Sequence, residues 1–272
     1  MRFGLDIAQQ RMPFDEVVSR AQFAEALGFD GVWGFDHFQP MYGEGPGECF
    51  EGLTTLAALS GHTSRVRMGL MVMGFTYRHP GVFAVEATTI DHASHGRLEL
   101  SYGAAWFEQE HTALSIPFPQ LKDRVDAFEE AVQIVRGLLT TDNFSFDGKH
   151  FQVHDATVRP RPVQQPHPPI WIGAHGEKRM MPIAARYADV WHSGGPPEYL
   201  GPKSARLSAM AEAAGRDPSE ILRATSLSLD DLDEAERLID SWEQTGFGYL
   251  HCGWPGAGRP QIEAFAKRVL AR

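Results

Sequence analysis

The sequence predicts an α/β protein folded as a single (β/α)8 barrel, and three observations support this fold class. Short β-branched, apolar segments alternate with stretches of helical periodicity along most of the chain. Counting each strand with the helix that follows it gives about eight pairs, the number that closes a barrel. The length of 272 residues suits one such domain. An open, doubly wound sheet is the alternative, because periodicity does not reveal closure.

The first elements carry ordinary start and stop signals. Strand 3–7 precedes a helix at 13–27 that ends at Gly28, the residue type that most often caps a helix carboxyl end. Strand 30–35 leads into a Gly- and Pro-rich loop at 39–48, and loops of this length in a compact domain are more often functional than idle. The same alternation predicts the next elements: helix 53–62, strand 66–73, helix 81–93 and strand 98–103.

The second half of the chain begins with a long loop through 117–119 and an amphipathic helix at 123–139. Asp147-Gly148 between aromatic residues predicts a β-hairpin at 144–153 that is not a barrel strand. With the proline-rich connector 160–169, it forms an insertion at about 141–169. The alternation then resumes with strands at 170–173, 189–192, 222–229 and 249–253, and helices at 177–187, 200–214, 232–245 and 261–270.

Composition and charge exclude several classes of function. The chain has 25 Lys and Arg against 35 Asp and Glu, a formal net charge of −10. This acidic balance, without a basic run, argues against nucleic acid or an anionic membrane as partner. Cys49 and Cys252 lack metal-type spacing and favour a reducing, cytoplasmic setting. The amino terminus lacks a signal-peptide core and no apolar stretch is long enough to span a bilayer, so we expect a soluble protein.

Reactive side chains follow the predicted strands, and a closed barrel brings such residues to its catalytic face. Asp36 and His37 come directly after the second strand, and a histidine beside a carboxylate can take up a proton near neutral pH. The alternative is that Asp36 caps a turn and His37 bonds to the backbone. Arg78 opens a helix, where it either binds a phosphate or carboxylate or forms a helix-start salt bridge.

The turn after the fourth strand is built from small residues. Gly103, Ala104 and Ala105 would let a flat or bulky group approach the backbone, and Trp106 would stack on it. A tight turn before a loop is the simpler interpretation. Three titratable residues follow, Glu108, Glu110 and His111, and two of them are expected to be solvated.

Two loops are candidates for binding phosphate. The segment 173–176 lies between a strand and a helix, where backbone N–H groups can bind an anion. Gly256, Gly258 and Arg259 follow the last strand, a common phosphate-binding position in barrels. The segment 173–176 matches neither a Walker loop nor a full GxGxxG motif, and a plain strand-to-helix turn is the alternative there. The 12 histidines form no HxH or HExxH pattern, so no catalytic metal is predicted.

Six segments together resemble the bacterial luciferase-like family, and most closely its deazaflavin-dependent oxidoreductase branch. They are collinear with that family from near the amino terminus to about Gly195. The segments are AEALGFDGVWGFDHFQP, SRVRMGLMVMGFTYRHP, GRLELSYGAAWFEQEH, DAFEEAVQIVRGLL, FDGKHFQV and HPPIWIGAHGEKRMMPIAARYADVWHSGG. The resemblance implies a single TIM-type barrel domain over 1–272 that binds coenzyme F420, or FMN, at the carboxyl ends of its strands.

The resemblance also implies which residues contact the cofactor. A non-proline cis peptide is expected in the third strand, among Leu70, Met71 and Val72. The cofactor phosphate is expected at Gly173, Ala174, His175 and Gly176. The implied contacts to the ring are Asp36, Met71, Val72, Gly103, Ala104 and Trp106.

The segment DHFQP is shared with the sugar-phosphate dehydrogenases of this branch, which implies that His37 is the base and Asp36 a cofactor contact. Their acid residue aligns with Trp106 or Glu108, and Glu108 is kept beside His37 as the catalytic candidate. Those enzymes have Trp where Met41 stands. They also place a Lys after strand six, where this chain has Gly195, Pro196 and Pro197. A sugar-phosphate substrate is therefore not predicted.

The hypothesis from sequence is an F420-dependent oxidoreductase that transfers hydride between the deazaflavin ring and a small organic substrate. The main alternative is an FMN-dependent two-component monooxygenase, supplied by a flavin reductase in trans. A non-catalytic flavin-binding protein and a metal-dependent barrel hydrolase are rivals of other classes. The resemblance alone also implies a homodimer.

Overall fold

The barrel strands form one parallel sheet of eight strands in the order β3-β2-β1-β10-β9-β8-β7-β4. In chain order the strands are β1 (Arg2–Asp6), β2 (Gly31–Gly34), β3 (Arg67–Leu70), β4 (Leu100–Tyr102), β5 (Phe144–Asp147), β6 (Gln152–Ala156), β7 (Ile170–Gly173), β8 (Val190–His192), β9 (Leu222–Leu227) and β10 (Tyr249–Cys252). These elements come from a computed structural model, which describes residues 1–271.

The two ends of the sheet meet between β3 and β4, which closes the barrel. Met68 and Leu98 form a parallel bridge there. The Met68 N–H donates to the Arg97 carbonyl at 2.9 Å, and the Glu99 N–H donates to the Met68 carbonyl at 2.8 Å. The predicted (β/α)8 fold is therefore confirmed, and the open-sheet alternative is excluded.

Helices surround the barrel and connect its strands, as expected for parallel strands that need crossover connections. They are α1 (Phe14–Leu27), α2 (Gly52–Ser60), α3 (Pro80–Ala93), α4 (Glu108–Ala113), α5 (Leu121–Thr140), α6 (Met180–Tyr187), α7 (Pro197–Ala213), α8 (Leu232–Gln244) and α9 (Arg259–Phe265). Short 3-10 helices lie at Phe75–Tyr77 and Pro218–Glu220, and a π-helical turn at Ala266–Leu270 continues α9. Among residues 1–271, no helix combines the length and apolar character needed to cross a bilayer.

Several elements differ from their predicted bounds, and three of these differences bear on the site. The loop expected after β4 contains α4, because a helix of 6 residues is too short to show periodicity. Helix α6 begins at Met180 instead of 177, after a turn. Strand β3 ends at Leu70 instead of 73. The hairpin is confirmed: β5 and β6 pair antiparallel in a sheet of their own.

Large aromatic side chains fill the lower part of the barrel interior. The ring centroids of Trp33 and Trp171 lie 4.5 Å apart, and those of Trp171 and Tyr249 lie 4.8 Å apart. The Trp33 indole N–H donates to the Tyr249 hydroxyl at 2.7 Å, so its buried polar group is satisfied. A Cβ at Gly69 would stand 2.5 Å from the Trp33 ring, so only glycine fits there. Because Trp33, Trp171 and Tyr249 fill this part of the barrel interior, the free volume lies at the carboxyl ends of the strands.

Candidate active site

A cavity of about 470 Å³ opens at the carboxyl ends of the barrel strands. Its walls come from segments that follow β2, β3, β4, β7 and β8. The sequence-predicted residues that line it are Asp36, His37, Met71, Val72, Gly103, Ala104, Trp106, Gly173, His175 and Gly176. The predicted convergence of these distant turns on one face is therefore confirmed, whereas their individual roles stay predictions.

Leu70 and Ala174 were also predicted as cofactor contacts, and neither lines this cavity. Leu70 is 0% exposed and packs in the hydrophobic core. Ala174 is 2% exposed, and its N–H donates to the His192 carbonyl at 3.1 Å. Its own carbonyl accepts from the Trp191 indole at 2.7 Å. The backbone groups of Ala174 are thus used within the barrel and are not free to bind a phosphate.

The third strand leads into a bulge formed by Met71 and Val72. The peptide bond between them is cis, as the resemblance implied, and both residues line the cavity. Val72 packs against Gly103 at the end of β4. A Cβ added to Gly103 would stand 2.5 Å from Val72 Cγ2, closer than real contacts allow. Glycine at 103 is therefore what lets Val72 take its place in the cavity wall.

His37 and Glu110 form a hydrogen-bonded pair at the edge of the cavity. His37 Nδ1 lies 3.1 Å from Glu110 Oε2, and the side chains are 14% and 0% exposed. Because a carboxylate only accepts hydrogen bonds, we assign the imidazole proton to Nδ1. Nε2 is then the ring nitrogen left to accept a proton. Within the part of the chain that the structure describes, no protein group occupies Nε2.

Glu110 is held as a carboxylate by three further donors. The Tyr77 hydroxyl donates to Oε2 at 2.6 Å, and the Gln39 N–H donates to Oε1 at 2.8 Å. The Phe38 N–H also donates to Oε1. Burial opposes ionisation of this carboxyl, but the hydrogen bonds outweigh it and lower the pKa of Glu110. The negative charge beside His37 is therefore stable at neutral pH.

Glu108, the catalytic candidate from sequence, is exposed and does not line the cavity. The expectation that two of the three residues after Trp106 are solvated was wrong, because Glu110 and His111 are both 0% exposed. Helix α4 explains the difference. Residues two apart on a helix point roughly 200° away from each other, so Glu110 faces the barrel while Glu108 faces solvent.

Asp36 is buried at 1% exposure and paired with Arg78. The two guanidinium nitrogens Nη1 and Nη2 lie 2.7 and 3.0 Å from its carboxylate oxygens, and the Gly74 N–H donates to it at 3.0 Å. Arg78 also pairs with Glu51. Burial raises the pKa of Asp36, and the Arg78 charge opposes that rise. Of the two predicted roles for Arg78, the structure supports the internal salt bridge.

The segment 173–176 forms the opposite end of the cavity. His175 is fixed there, with Nδ1 3.0 Å from the Ser193 hydroxyl and Nε2 3.2 Å from the Tyr199 hydroxyl. The Lys203 ammonium donates to the His175 carbonyl at 2.8 Å and pairs with Glu177 at 3.7 Å. A Cβ at Gly176 would meet nothing within 4 Å, so this end is open.

In the second candidate phosphate loop, after β10, the three predicted residues all make hydrogen bonds within the protein. Arg259 donates to Glu16 at 3.0 Å and to the Ser19 hydroxyl at 2.9 Å. The Gly256 N–H donates to Asp230 at 2.8 Å. None of the three predicted residues lines the cavity: Gly256, Gly258 and Arg259. This loop therefore lies outside the cavity, and a phosphate site there stays a prediction.

Two histidines at the base of the cavity were not singled out from sequence. His192 ends β8 and lines the cavity, and its ring lies 6.2 Å from that of His251 on β10. Burial lowers the pKa of His192 to about 3 and that of His251 to about 4, so both are neutral at pH 7. Their position at or near the ends of barrel strands is the sequence signal that indicates them.

The amino-acid sequence matches the family model of luciferase-like monooxygenases over residues 1–262. It is 34% identical over 189 residues to an F420-dependent glucose-6-phosphate dehydrogenase of Microbacterium testaceum, covering 69% of this chain and 54% of that protein. It is 30% identical over 245 residues to an F420-dependent hydroxymycolic acid dehydrogenase of Mycobacterium tuberculosis, covering 89% and 67%. The chain thus spans about half the length of the glucose-6-phosphate dehydrogenase it matches.

Solved structures share the fold at low sequence identity. An F420-dependent secondary alcohol dehydrogenase, in complex with an F420-acetone adduct, superposes with a TM-score of 0.89 at 19% identity, covering 99% of this chain and 98% of that one. A monooxygenase from Streptomyces bottropensis gives a TM-score of 0.80 at 22% identity, covering 100% and 99%. The family model covers nearly the whole chain, and the resemblance found in the sequence is thereby confirmed. The protein belongs to the luciferase-like monooxygenase family.

Proposed function

We propose that this protein is an F420-dependent oxidoreductase that moves a hydride between the deazaflavin ring and a small organic substrate. His37 exchanges a proton with the substrate oxygen during that transfer. The observation that carries the proposal is the pair of His37 Nδ1 and Glu110 Oε2, 3.1 Å apart, at the same cavity as the Met71–Val72 peptide. Such a reaction needs an acid–base group beside a surface for a flat ring.

The residues around the cavity fit a cofactor with a flat ring and a phosphate tail. The volume of about 470 Å³ is within the usual range for ligand sites. Gly103 keeps Val72 in the wall where the ring would rest, and Gly176 leaves room for the tail. Lys203, which pairs with Glu177, supports the His175 carbonyl beside this part of the cavity. Bound F420 would supply the hydride acceptor, and the protein supplies orientation and exclusion of water.

The sequence relatives favour F420 over FMN. The relatives from Microbacterium testaceum and Mycobacterium tuberculosis are both F420-dependent dehydrogenases by name. The two-component FMN monooxygenase remains the alternative, since a monooxygenase shares the fold. A non-catalytic flavin-binding protein would not need a buried imidazole–carboxylate pair with one ring nitrogen open to the cavity, so the geometry of His37 argues against it.

The experiment is an equilibrium titration of the purified protein with F420 and, separately, with FMN. We expect F420 to bind more tightly, and micromolar FMN binding without F420 binding would overturn the proposal. His37→Ala should keep F420 affinity and lower turnover by at least about a hundredfold, the scale for a lost acid–base group. His62→Ala, at an exposed histidine, is the matched control and should change neither. Unchanged turnover in His37→Ala would leave that residue a structural role only.

Four further expectations from the sequence stay proposals. We propose a homodimer, a cytoplasmic location and a small-molecule substrate. An F420 or flavin reductase in trans would regenerate the cofactor. Size-exclusion chromatography with light scattering tests the first of these directly, and a monomer at micromolar concentration would contradict it.

A further inference from the structure

The part of the cavity next to His37 is bordered by exposed apolar side chains. Trp106 is 66% exposed and Leu121 is 64% exposed, and both line the cavity. The Trp106 ring centroid lies 5.7 Å from that of His37, with the two planes at 75°. A large apolar surface left open beside the proposed proton acceptor is typical of a binding surface for an apolar group.

Positively charged side chains near this region are already paired. Arg78 bonds to Asp36 and Glu51, as described above. Arg124 donates to the carbonyls of Ala104 and Pro119 at 3.0 and 2.8 Å, and its guanidinium stacks on a phenylalanine ring. Among the residues that line the cavity there is no Lys or Arg. A phosphate or carboxylate on the substrate would therefore meet no lysine or arginine among the described lining residues.

The fixed charge near His37 is instead negative. Glu110 carries a carboxylate whose pKa is lowered, 3.1 Å from His37 Nδ1. Like charges in a partly enclosed site raise the free energy of binding an anion. Lys203 donates to the His175 carbonyl and pairs with Glu177 at 3.7 Å. The negative charge beside His37 thus favours an uncharged substrate over an anionic one at this part of the cavity.

We propose that the substrate is an uncharged alcohol, or the carbonyl compound it forms, whose oxygen lies at His37 Nε2 and whose bulky apolar substituent packs on Trp106. This inference rests on the proposed function. In the oxidation the hydroxyl proton passes to His37 Nε2. The carbinol C–H bond breaks and its electron pair leaves with the hydrogen as hydride to the deazaflavin, which is thereby reduced. The alcohol becomes a carbonyl compound.

The test measures F420 reduction by the F420-loaded protein with 1-phenylethanol, cyclohexanol, isopropanol and glucose 6-phosphate. We expect kcat/KM to rise with the apolar size of the alcohol and to be at least about a hundredfold lower for the sugar phosphate. Trp106→Ala should raise KM for phenylethanol by about tenfold or more and change KM for isopropanol by less than about threefold. Leu114→Ala, an apolar residue 49% exposed and outside the cavity lining, is the control and should change neither value.

The outcomes separate this inference from the proposed function. Protein that binds F420 but oxidises glucose 6-phosphate better than the apolar alcohols overturns the substrate class and leaves the proposed function standing. An equal change of KM for both alcohols in Trp106→Ala, or none for either, overturns the role of Trp106. Failure to bind F420 contradicts the proposed function itself. Binding of the corresponding ketone, acetophenone, to the F420-loaded protein is measured by calorimetry, so the role of Trp106 is also tested without turnover.

Discussion

Replacing Glu110 by glutamine changes one oxygen into an amide group and leaves the size of the side chain unchanged. In the native protein Oε2 accepts from both the Tyr77 hydroxyl and His37 Nδ1. In Glu110→Gln an NH2 group that only donates would face these two groups, or the amide would turn its donor toward the backbone N–H groups that now bind Oε1. Either orientation leaves donors facing donors.

The magnitude follows from the number of groups left without a partner. A buried donor that loses its acceptor costs about 1–3 kcal/mol, so unfolding free energy should fall by about 2–4 kcal/mol at pH 7. To relieve the conflict, His37 can move its proton from Nδ1 to Nε2. That tautomer cannot accept a proton from a substrate at Nε2, and a wrong tautomer of a catalytic histidine can cost up to about ten-thousandfold in kcat. We expect kcat to fall by at least about a hundredfold.

The assays are urea unfolding at pH 7 and stopped-flow F420 reduction under saturating alcohol. Because the pKa of Glu110 is lowered in the folded protein, its stabilisation exists above the unfolded pKa and is lost on acidification. The stability difference between native protein and Glu110→Gln should therefore shrink below about pH 4.5. Glu108→Gln is the matched control and should change stability by less than about 0.5 kcal/mol. A kcat for Glu110→Gln within about threefold of native would refute the reasoning.

Three other changes have definite expected results. Gly103→Ala brings a Cβ to 2.5 Å from Val72 and should weaken F420 binding by about tenfold in a fluorescence titration, and unchanged affinity would remove Val72 from the ring site. Arg78→Met leaves the carboxylate of Asp36 buried without its ion-pair partner, since the Arg78 and Asp36 side chains are 13% and 0% exposed. The unfolding free energy measured in urea should fall by about 3 kcal/mol or more. Adding Asp36→Asn should recover part of that loss; no recovery would show that Arg78 acts elsewhere. Backbone N–H donors lower the pKa of Glu25 to about 2. The native protein should therefore have a higher unfolding free energy than Glu25→Gln at neutral pH, and this difference should disappear as pH falls from about 4.5 to about 2. An unchanged difference in unfolding free energy over that range would contradict this assignment.

The barrel and the face that carries the site follow from patterns visible in one sequence. Strand and helix periodicity predicted the eight strands, and the parallel arrangement puts all their carboxyl ends on one face. Asp36 and His37 end up there because they follow a strand directly. The cis peptide at Met71–Val72 came from the resemblance, since nothing in local sequence specifies that geometry.

The partner of His37 could not be chosen from sequence. Glu108 and Glu110 are equally polar, and the choice between them depends on whether the segment is helical. Helix α4 has 6 residues, with Glu108 and Glu110 both in its first turn, so its amphipathic pattern is too short to detect. Only the packing of this turn against the loop after β2 shows which carboxylate is buried.

Pairs of polar residues that are distant in sequence also could not be predicted from the local sequence pattern. His192 and His251 meet because β8 and β10 both flank β9, which requires the closed sheet. Arg259 follows the last strand as a phosphate ligand would, but α1 presents Glu16 to it from the start of the chain. The sequence separation in that pair is 243 residues, so only the tertiary fold reveals that the guanidinium is occupied.

The central claim is that one cavity holds a deazaflavin between the Met71–Val72 bulge and His37, with its phosphate tail at 173–176. The most direct measurement is a crystal structure of the protein soaked with F420. We predict ring density against Val72, with an open position beside His37 Nε2, and phosphate density at Gly176. Cofactor density elsewhere on the protein, or a ring that lies away from His37, would contradict the account.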